Sequence, residues 1–92
     1  MSCFYATIGF SLVYTCRAIK DLKRVDEKTK ERIGNALLRY SEDPLKFAEK
    51  LTDPRLGTYR FRVGEYRVVF DLETTDVIVL RIGHRKDIYR RL

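Results

Sequence analysis

The chain has 92 residues, enough for one domain with one modest hydrophobic core, which excludes a two-domain enzyme with a separate cofactor-binding half. Hydrophobic residues make up 45% and charged residues 35%, a globular rather than a disordered composition. The 19 Lys and Arg outnumber the 13 Asp and Glu, and the resulting net charge of +6 predicts a polyanion or an acidic protein as partner.

A single domain is expected over residues 1–92, with residues 1–9 as an N-terminal extension. Residues 1–14 carry no charge, but they lack a basic region and a cleavage site and are too short to span a bilayer. We therefore expect a cytoplasmic protein without a membrane partner. Cys3 and Cys16 are too few for a disulfide scaffold, and they lie too far from the single histidine, His84, to favour a zinc site. Neither a metal nor a cofactor is predicted.

The first half of the chain predicts one strand and two or three helices. Residues 10–15 are apolar, β-branched and aromatic, as in a strand. A first helix follows, in which the apolar residues at helical spacing are Ala18, Ile19, Leu22 and Val25. Asp26 is a good N-cap for a second helix, whose apolar stripe is Ile33, Leu37 and Tyr40. Asp43 and Pro44 start a short third helix that is expected to bury Phe47, Ala48 and Leu51.

The hydrophobic period changes to two after Thr58. Residues 59–63 and 66–70 alternate around Gly64 and Glu65, which predicts a β-hairpin with a two-residue type II′ turn. Residues 77–82 are apolar at almost every position, as in a strand from the interior of a sheet. The expected class is α+β, with an N-terminal strand and two to three helices packed on a small antiparallel meander sheet.

The hairpin register brings arginines together. With a two-residue turn, Val63 faces Tyr66 and Arg62 faces Arg67, so Arg60, Arg62 and Arg67 share the face opposite the apolar residues. Two arginines directly across a ladder repel, at a cost of about 0.5 kcal/mol. A bound anion would reverse the sign of that interaction, because guanidinium and phosphate form charge-assisted, often bidentate contacts.

The C-terminal segment adds to this basic surface. If the last strand keeps Ile78, Leu80 and Ile82 on the core side, Arg81 joins the arginines of the hairpin. Residues 81–92 carry a net charge of +4, most of the excess. A basic tail with one His and one Tyr beside arginines suits RNA.

The sequence contains no Ser-His-Asp spacing, Gly-rich phosphate loop or Cys-His pair. What remains is metal-free phosphoryl transfer, in which an RNA 2′-hydroxyl attacks the adjacent phosphate while arginines stabilise the transition-state charge. His84 and Tyr89 are the nearby groups with usable proton chemistry.

Residues 57–70 together with residues 82–89 resemble the RelE branch of the RelE/ParE toxin superfamily. Residues 18–22 resemble the first helix of that family, and residues 44–56 resemble its approach to the hairpin. The likeness covers about residues 10–89 of the chain.

The resemblance implies a RelE-like fold and a toxin of a type II toxin–antitoxin pair. It implies a metal-free mRNA endonuclease that acts in the ribosomal A site and leaves a 2′,3′-cyclic phosphate, with mRNA, ribosomal RNA and a RelB-type antitoxin as partners. The expected catalytic residues are Arg62, Arg67, His84, Arg85 and Tyr89. The expected RNA-binding residues are Arg60, Arg81, Lys86 and Arg90.

Some family enzymes carry lysines where this chain has Arg60 and Arg62. Arginine does not lose its proton in proteins, so a proton-transfer role at those positions would move to His84 or Tyr89. Only three residues separate Arg85 from Tyr89, fewer than in some members.

Two other functions stay open. A toxin of the ParE branch would bind DNA gyrase without catalysis, and a basic module would bind RNA or the ribosome without activity. An acidic antitoxin segment could neutralise the arginines, displace the C-terminal tail or pair with a sheet edge. It could also lie in a helical groove formed by Leu22, Ile33 and Leu37.

Overall fold

The structure is a computed structural model that describes residues 10–51 and 58–88. Its elements in chain order are β1 (Ser11–Tyr14), α1 (Cys16–Lys23), α2 (Glu27–Tyr40), α3 (Pro44–Phe47), β2 (Glu49–Lys50), β3 (Tyr59–Val63), β4 (Tyr66–Glu73) and β5 (Asp76–His84). Within these ranges no helix has both the length and the apolar character needed to cross a membrane.

The five strands form one sheet in the order β1-β5-β4-β3-β2. Strands β2 to β5 are antiparallel, and β1 pairs with β5 in parallel, with Ser11 opposite Asp76. The α+β class with a mainly antiparallel sheet is confirmed. The parallel addition of β1 is a long-range pairing that no local pattern of residues announces.

The first two helices begin where the sequence predicts. The Thr15 hydroxyl accepts the Ala18 N–H at 3.2 Å and donates to Val79 O at 2.9 Å, so one side chain caps α1 and attaches it to β5. In α2, Ile33 and Leu37 are fully buried. Ile19 was expected on the apolar side of α1 but is 44% exposed, because Ala18 and Leu22 form the side of this short helix that faces the core.

The third helix is shorter than the sequence suggests. It ends at Phe47, and Ala48 already has extended backbone dihedrals, with φ −84° and ψ 150°. The expected burial of Phe47 is wrong, since its ring is exposed and stacks on Tyr40 at 4.7 Å. The chain then adds the two-residue strand β2, in which Glu49 faces Arg60 of β3.

The hairpin prediction is confirmed in register and turn. Val63 faces Tyr66 and Arg62 faces Arg67. Gly64 has a φ of +60° and Glu65 does not share a positive φ, as a type II′ turn requires. The apolar side chains of β3 and β4 lie against α2, and Phe61 and Phe70 stack at 4.1 Å in the centre of the core.

Of the three β5 residues that were expected on the core side, Ile82 is buried there, but the prediction is wrong for Ile78 and Leu80. Val77 and Val79 are fully buried in the main core with Ile82, whereas Ile78 and Leu80 are only half-buried. The reason is an irregularity in the β4–β5 ladder: Phe70 pairs with Val79 and Val69 with Arg81, so Leu80 has no partner. An unpaired extra residue shifts the alternation of the strand by one position.

Phe61 tests the position of the core. Phe61→Ala removes a fully buried ring stacked on Phe70, so we expect the free energy of unfolding to fall by about 3–5 kcal/mol. The control Leu38→Ala truncates a side chain that is 63% exposed and should change it by at most about 0.5 kcal/mol. Urea unfolding of both variants measures the difference, and equal changes would contradict this core.

Candidate nucleic-acid interface

Three arginines lie on one face of the β3–β4 hairpin, here called the arginine face: Arg60, Arg62 and Arg67. Arg62 and Arg67 are direct cross-strand partners, as the sequence predicts. The strand β2 adds an acidic residue beside them. Glu49 Oε1 lies 2.8 Å from Arg60 Nε and 3.4 Å from Arg62 Nε. One carboxylate thus offsets part of the repulsion among the arginines, which explains how the folded chain tolerates them.

All three residues of the arginine face act electrostatically on the Glu49 carboxylate. A hydrogen bond from Arg60, followed by the charges of Arg60, Arg62 and Arg67, lowers the pKa of the Glu49 carboxyl below its ordinary value. The guanidinium groups therefore create a positive potential at a carboxylate that is itself 43% exposed. A solvent-accessible anion position already exists on this face, occupied by a side chain of the protein.

A second group of arginines surrounds the hairpin turn. Arg67 Nη1 donates to Gly64 O at 3.0 Å and to Tyr66 O at 2.9 Å. The Arg85 N–H donates to Glu65 O at 2.8 Å, and Arg85 Nε donates to Glu65 Oε1 at the same distance. The turn thus brings Arg67 and Arg85, which are 18 positions apart in sequence, to one site.

Arg32 of α2 also reaches this turn, although it is not among the site residues that the sequence predicts. A Cβ added to Gly64 would lie 3.1 Å from Arg32 Nη2, so the guanidinium lies directly across the turn. We call Arg32, Arg67 and Arg85 the tip cluster. No local signal marks Arg32, because its position depends on how α2 packs on the sheet.

His84 lies at the same end of the sheet but on the side of the apolar face. It pairs with Tyr66, and the two rings meet edge to face at 5.6 Å. The backbone N–H of the exposed Lys86 donates to His84 Nδ1 at 3.1 Å. With Nδ1 acting as acceptor, the neutral ring carries its hydrogen on Nε2 and can donate a hydrogen bond from that atom.

The chain turns back on itself after His84. The N–H groups of Asp87 and Ile88 donate to His84 O, and the Ile88 Cβ would lie 3.4 Å from a Cβ added to Gly83. Gly83 is the cross-strand partner of Arg67, so Ile88 packs on the side that carries the arginine face. Tyr89 and Arg90, two of the expected site residues, lie outside the described residues.

By register Arg81 lies on the same side of the sheet as Arg60, as expected, because Val69 pairs with both residues, but its guanidinium is engaged by a helix. Its Nε lies 2.9 Å from Asp21 Oδ2, and the same oxygen accepts the Ile82 N–H at 2.9 Å. Asp21 belongs to α1, which covers the part of β5 that extends past the end of β1. The guanidinium of Arg81 therefore pairs with a helix on the edge of the sheet instead of facing solvent with Arg60 and Arg62.

The described residues thus offer cations and hydrogen-bond donors suited to a phosphodiester: the arginine face, the tip cluster and His84. Among the same residues, no group of three His, Cys, Asp or Glu side chains is arranged to hold a metal ion. The arrangement can bind and stabilise the charge of a phosphate at a site that projects from the hairpin end of the sheet.

Comparison with known proteins now assigns the family. Residues 12–89 match the family model of the ParE toxin of type II toxin–antitoxin systems. The chain belongs to the RelE/ParE superfamily of toxins. It is thus a toxin of a type II toxin–antitoxin system.

Individual relatives agree with this assignment. The chain is 36% identical over 85 residues to Toxin RelG of Mycobacterium tuberculosis, covering 85% of this chain and 98% of that toxin. It resembles a chain of the toxin–antitoxin complex RelBE2 of the same organism, with a TM-score of 0.77 and 25% identity over 85% of this chain and 100% of that one. A RelB–RelE complex from Methanococcus jannaschii gives a TM-score of 0.68 and 27% identity, with coverage of 87% and 98%.

The role of Glu49 predicts a pH dependence. Because its pKa is lowered in the folded toxin, the carboxylate contributes stability above the ordinary Glu value of about 4.3, and this contribution is lost as the pH falls through the lowered value. We expect Glu49→Gln to lower the free energy of unfolding at neutral pH and to differ little from the parent in acid.

Urea unfolding across this pH range measures the difference between parent and Glu49→Gln. The control is Glu73→Gln, an exposed residue at the end of β4, which should change the free energy by at most about 0.5 kcal/mol. If Glu49→Gln changed the free energy of unfolding by the same amount at every pH, the result would contradict the pairing of the Glu49 carboxylate with the arginines.

Proposed function

We propose that this toxin is a metal-free endoribonuclease that cleaves mRNA in the ribosomal A site. The observation that carries the proposal is the convergence of Arg67 and Arg85 on one exposed turn, next to the arginine face. A protein that only binds a partner has no need of several arginines held around one small site. The similarity to Toxin RelG and to a chain of the RelBE2 complex supports the same function.

In the proposed reaction the 2′-oxygen of one nucleotide attacks the adjacent phosphorus. The new O–P bond closes a 2′,3′-cyclic phosphate while the bond from phosphorus to the 5′-oxygen of the next nucleotide breaks. The 2′-hydroxyl loses a proton and the leaving 5′-oxygen gains one. Arg62, Arg67 and Arg85 stabilise the negative charge that develops on the phosphoryl oxygens. Arg60, Lys86 and Arg90 bind the flanking backbone.

His84 and Tyr89 are the candidates for assisting the two proton movements. His84 Nδ1 accepts the Lys86 N–H, which leaves Nε2 to donate a hydrogen bond to an oxygen that becomes negative. Tyr89 then takes the proton of the 2′-hydroxyl and gives one to the leaving 5′-oxygen. The role of Tyr89 is assigned from the family resemblance, which implies that a C-terminal tyrosine takes part in proton transfer.

We further propose a RelB-type antitoxin as partner, with mRNA and ribosomal RNA as the nucleic-acid ligands and the cytoplasm as the site of action. Two of the similar structures are toxin–antitoxin complexes. An acidic segment that binds the arginine face would remove the phosphate site. A groove formed by Leu22, Ile33 and Leu37 is not available, because Ile33 and Leu37 are fully buried.

One observation favours a second function. The family model that matches residues 12–89 is that of a ParE toxin, which makes non-catalytic inhibition of DNA gyrase the alternative. Supercoiling of plasmid DNA by purified gyrase in the presence of the toxin tests it directly.

The nuclease proposal is tested by mapping mRNA ends after a programmed translation reaction with the purified toxin. We expect cuts inside the A-site codon, and a fall in cleavage rate of about 10²–10³ in Arg85→Ala and in Arg67→Ala, since each variant loses a donor to the phosphoryl oxygens. The control Arg39→Ala removes an exposed arginine of α2 that stacks on Tyr40 and should cleave at the parental rate. Intact mRNA from a folded toxin that inhibits gyrase would replace this proposal by the alternative.

The two proton-transfer candidates are separated by single-turnover rates. Tyr89→Phe removes an ionisable hydroxyl and should slow cleavage by about 10²–10⁴. His84→Gln keeps a donor near the position of Nε2 and should cost less than about tenfold. A larger loss in His84→Gln than in Tyr89→Phe would exchange the two roles.

A further inference from the structure

A separate basic site lies on α1, away from the hairpin. Two adjoining cavities of about 200 Å³ and 370 Å³ share Asp21, Arg24 and Arg81 in their walls. The smaller cavity is lined entirely by charged side chains, which are Arg17, Lys20, Asp21, Arg24 and Arg81. Four cations and one carboxylate give this cavity a formal charge of +3. The larger cavity extends past Tyr66 to His84, at the end of β5.

The single carboxylate in the smaller cavity is already engaged. Asp21 binds Arg81 Nε and the Ile82 N–H, both at 2.9 Å, and only 11% of its side chain is exposed. Within the described ranges, Arg17, Lys20 and Arg24 form no ion pair. Their charges are therefore available to an external anion.

Helix stability does not account for this pattern of charge. Arg17 and Lys20 of α1 and the C-cap residue Arg24 are spaced three and four residues apart, so they lie on one side of the helix and repel one another. Lys20 and Lys23 are in the last turn, where the helix dipole favours cations, but Arg17 is in the first turn, where the dipole favours anions. The first turn contains no acidic residue. A bound anion would turn each of these unfavourable terms into a favourable one.

We propose that the smaller cavity binds a backbone phosphate of RNA, and that the larger cavity connects this phosphate to the nucleotides at His84. The inference rests on the proposed function to the extent that the ligand is RNA. The three arginines of the cavity present planar groups that suit phosphate oxygens. The larger cavity adds the aromatic ring of Tyr66 and the imidazole of His84, which suit a nucleoside.

RNA is favoured over an acidic protein segment because the smaller cavity is continuous with the candidate interface. The charged cavity and the candidate interface are joined through Arg81 and His84 along the end of β5. A phosphate chain repeats its charge along its length and can occupy both sites at once. The cavity thus extends the RNA interface from the hairpin, around the edge of β5, to the start of α1.

The test uses the double variant Arg17→Glu/Lys20→Glu and a control of equal charge change, Lys28→Glu/Arg39→Glu, on the exposed side of α2. The probes are a fluorescent single-stranded RNA with 2′-O-methyl groups, which cannot be cleaved, and ribosomes without messenger. Binding is measured over a series of salt concentrations. In a plot of the logarithm of the RNA association constant against the logarithm of the salt concentration, the slope is negative. We expect it to be less steep in the α1 variant than in the control, by about 0.7 for each phosphate that the variant no longer neutralises.

Four results are informative, the last of them from a third probe, a RelB-type antitoxin. A weaker slope and affinity of the α1 variant on the single-stranded RNA support a messenger phosphate, and the same loss confined to empty ribosomes supports a phosphate of ribosomal RNA. Equal behaviour of the α1 and control variants on both probes overturns the inference. A loss seen only with a RelB-type antitoxin overturns it too, because the site then belongs to an acidic protein. Thermal unfolding verifies that both variants fold.

The proposed function is judged separately by cleavage. A parent toxin that binds RNA through α1 but leaves A-site mRNA intact would refute the nuclease and leave the phosphate site standing. Loss of cleavage in Arg85→Ala, with unchanged binding in the α1 variant, would refute the phosphate site alone.

Discussion

The two-residue turn between β3 and β4 is the constraint on which the rest of this structure depends. Because Gly64 accepts a φ of +60°, Val63 meets Tyr66 and every later pair in the hairpin is fixed. The same register buries Phe61 and Phe70 against the helices and turns Arg60, Arg62 and Arg67 outward. A slip of one residue would bury the arginines and expose the aromatic rings. Folding and the charged surface are thus specified together.

Three carboxylates make the concentration of arginines compatible with a stable fold. Glu49 pairs with the arginine face, Glu65 with Arg85, and Asp21 with Arg81. Glu49 is partly and Glu65 largely exposed, so their ion pairs contribute little to stability. Asp21 is mostly buried and also satisfies a backbone N–H at the unpaired edge of β5. Glu49 and Glu65 occupy positions where a phosphate would meet the same guanidinium groups. Under the proposed function, binding of RNA would exchange one anion for another and would need little movement of the arginines.

Much of the architecture and of the arginine face could be predicted, since both follow from local patterns. Period-two alternation, a Gly-Glu turn and helical spacing of Ile33 and Leu37 are properties of short segments. The same reasoning failed where a non-local pairing intervened. Leu80 is left unpaired by the β4–β5 irregularity, which moves Val77 and Val79 into the core, and β2 replaces the end of the expected third helix because Glu49 finds a partner in Arg60.

The sequence by itself determined the fold class, the hairpin register, the excess of positive charge and the resemblance to a toxin family. Each of these depends on residue type and on spacing over a few positions. Only the tertiary structure decided which cations meet. It brought Arg32 of α2 to the turn at Gly64, turned Arg81 toward Asp21, and placed His84 on the side of Tyr66. Long flexible side chains reach their partners across elements that lie far apart in sequence, so their contacts follow from helix and strand packing, which no local pattern specifies.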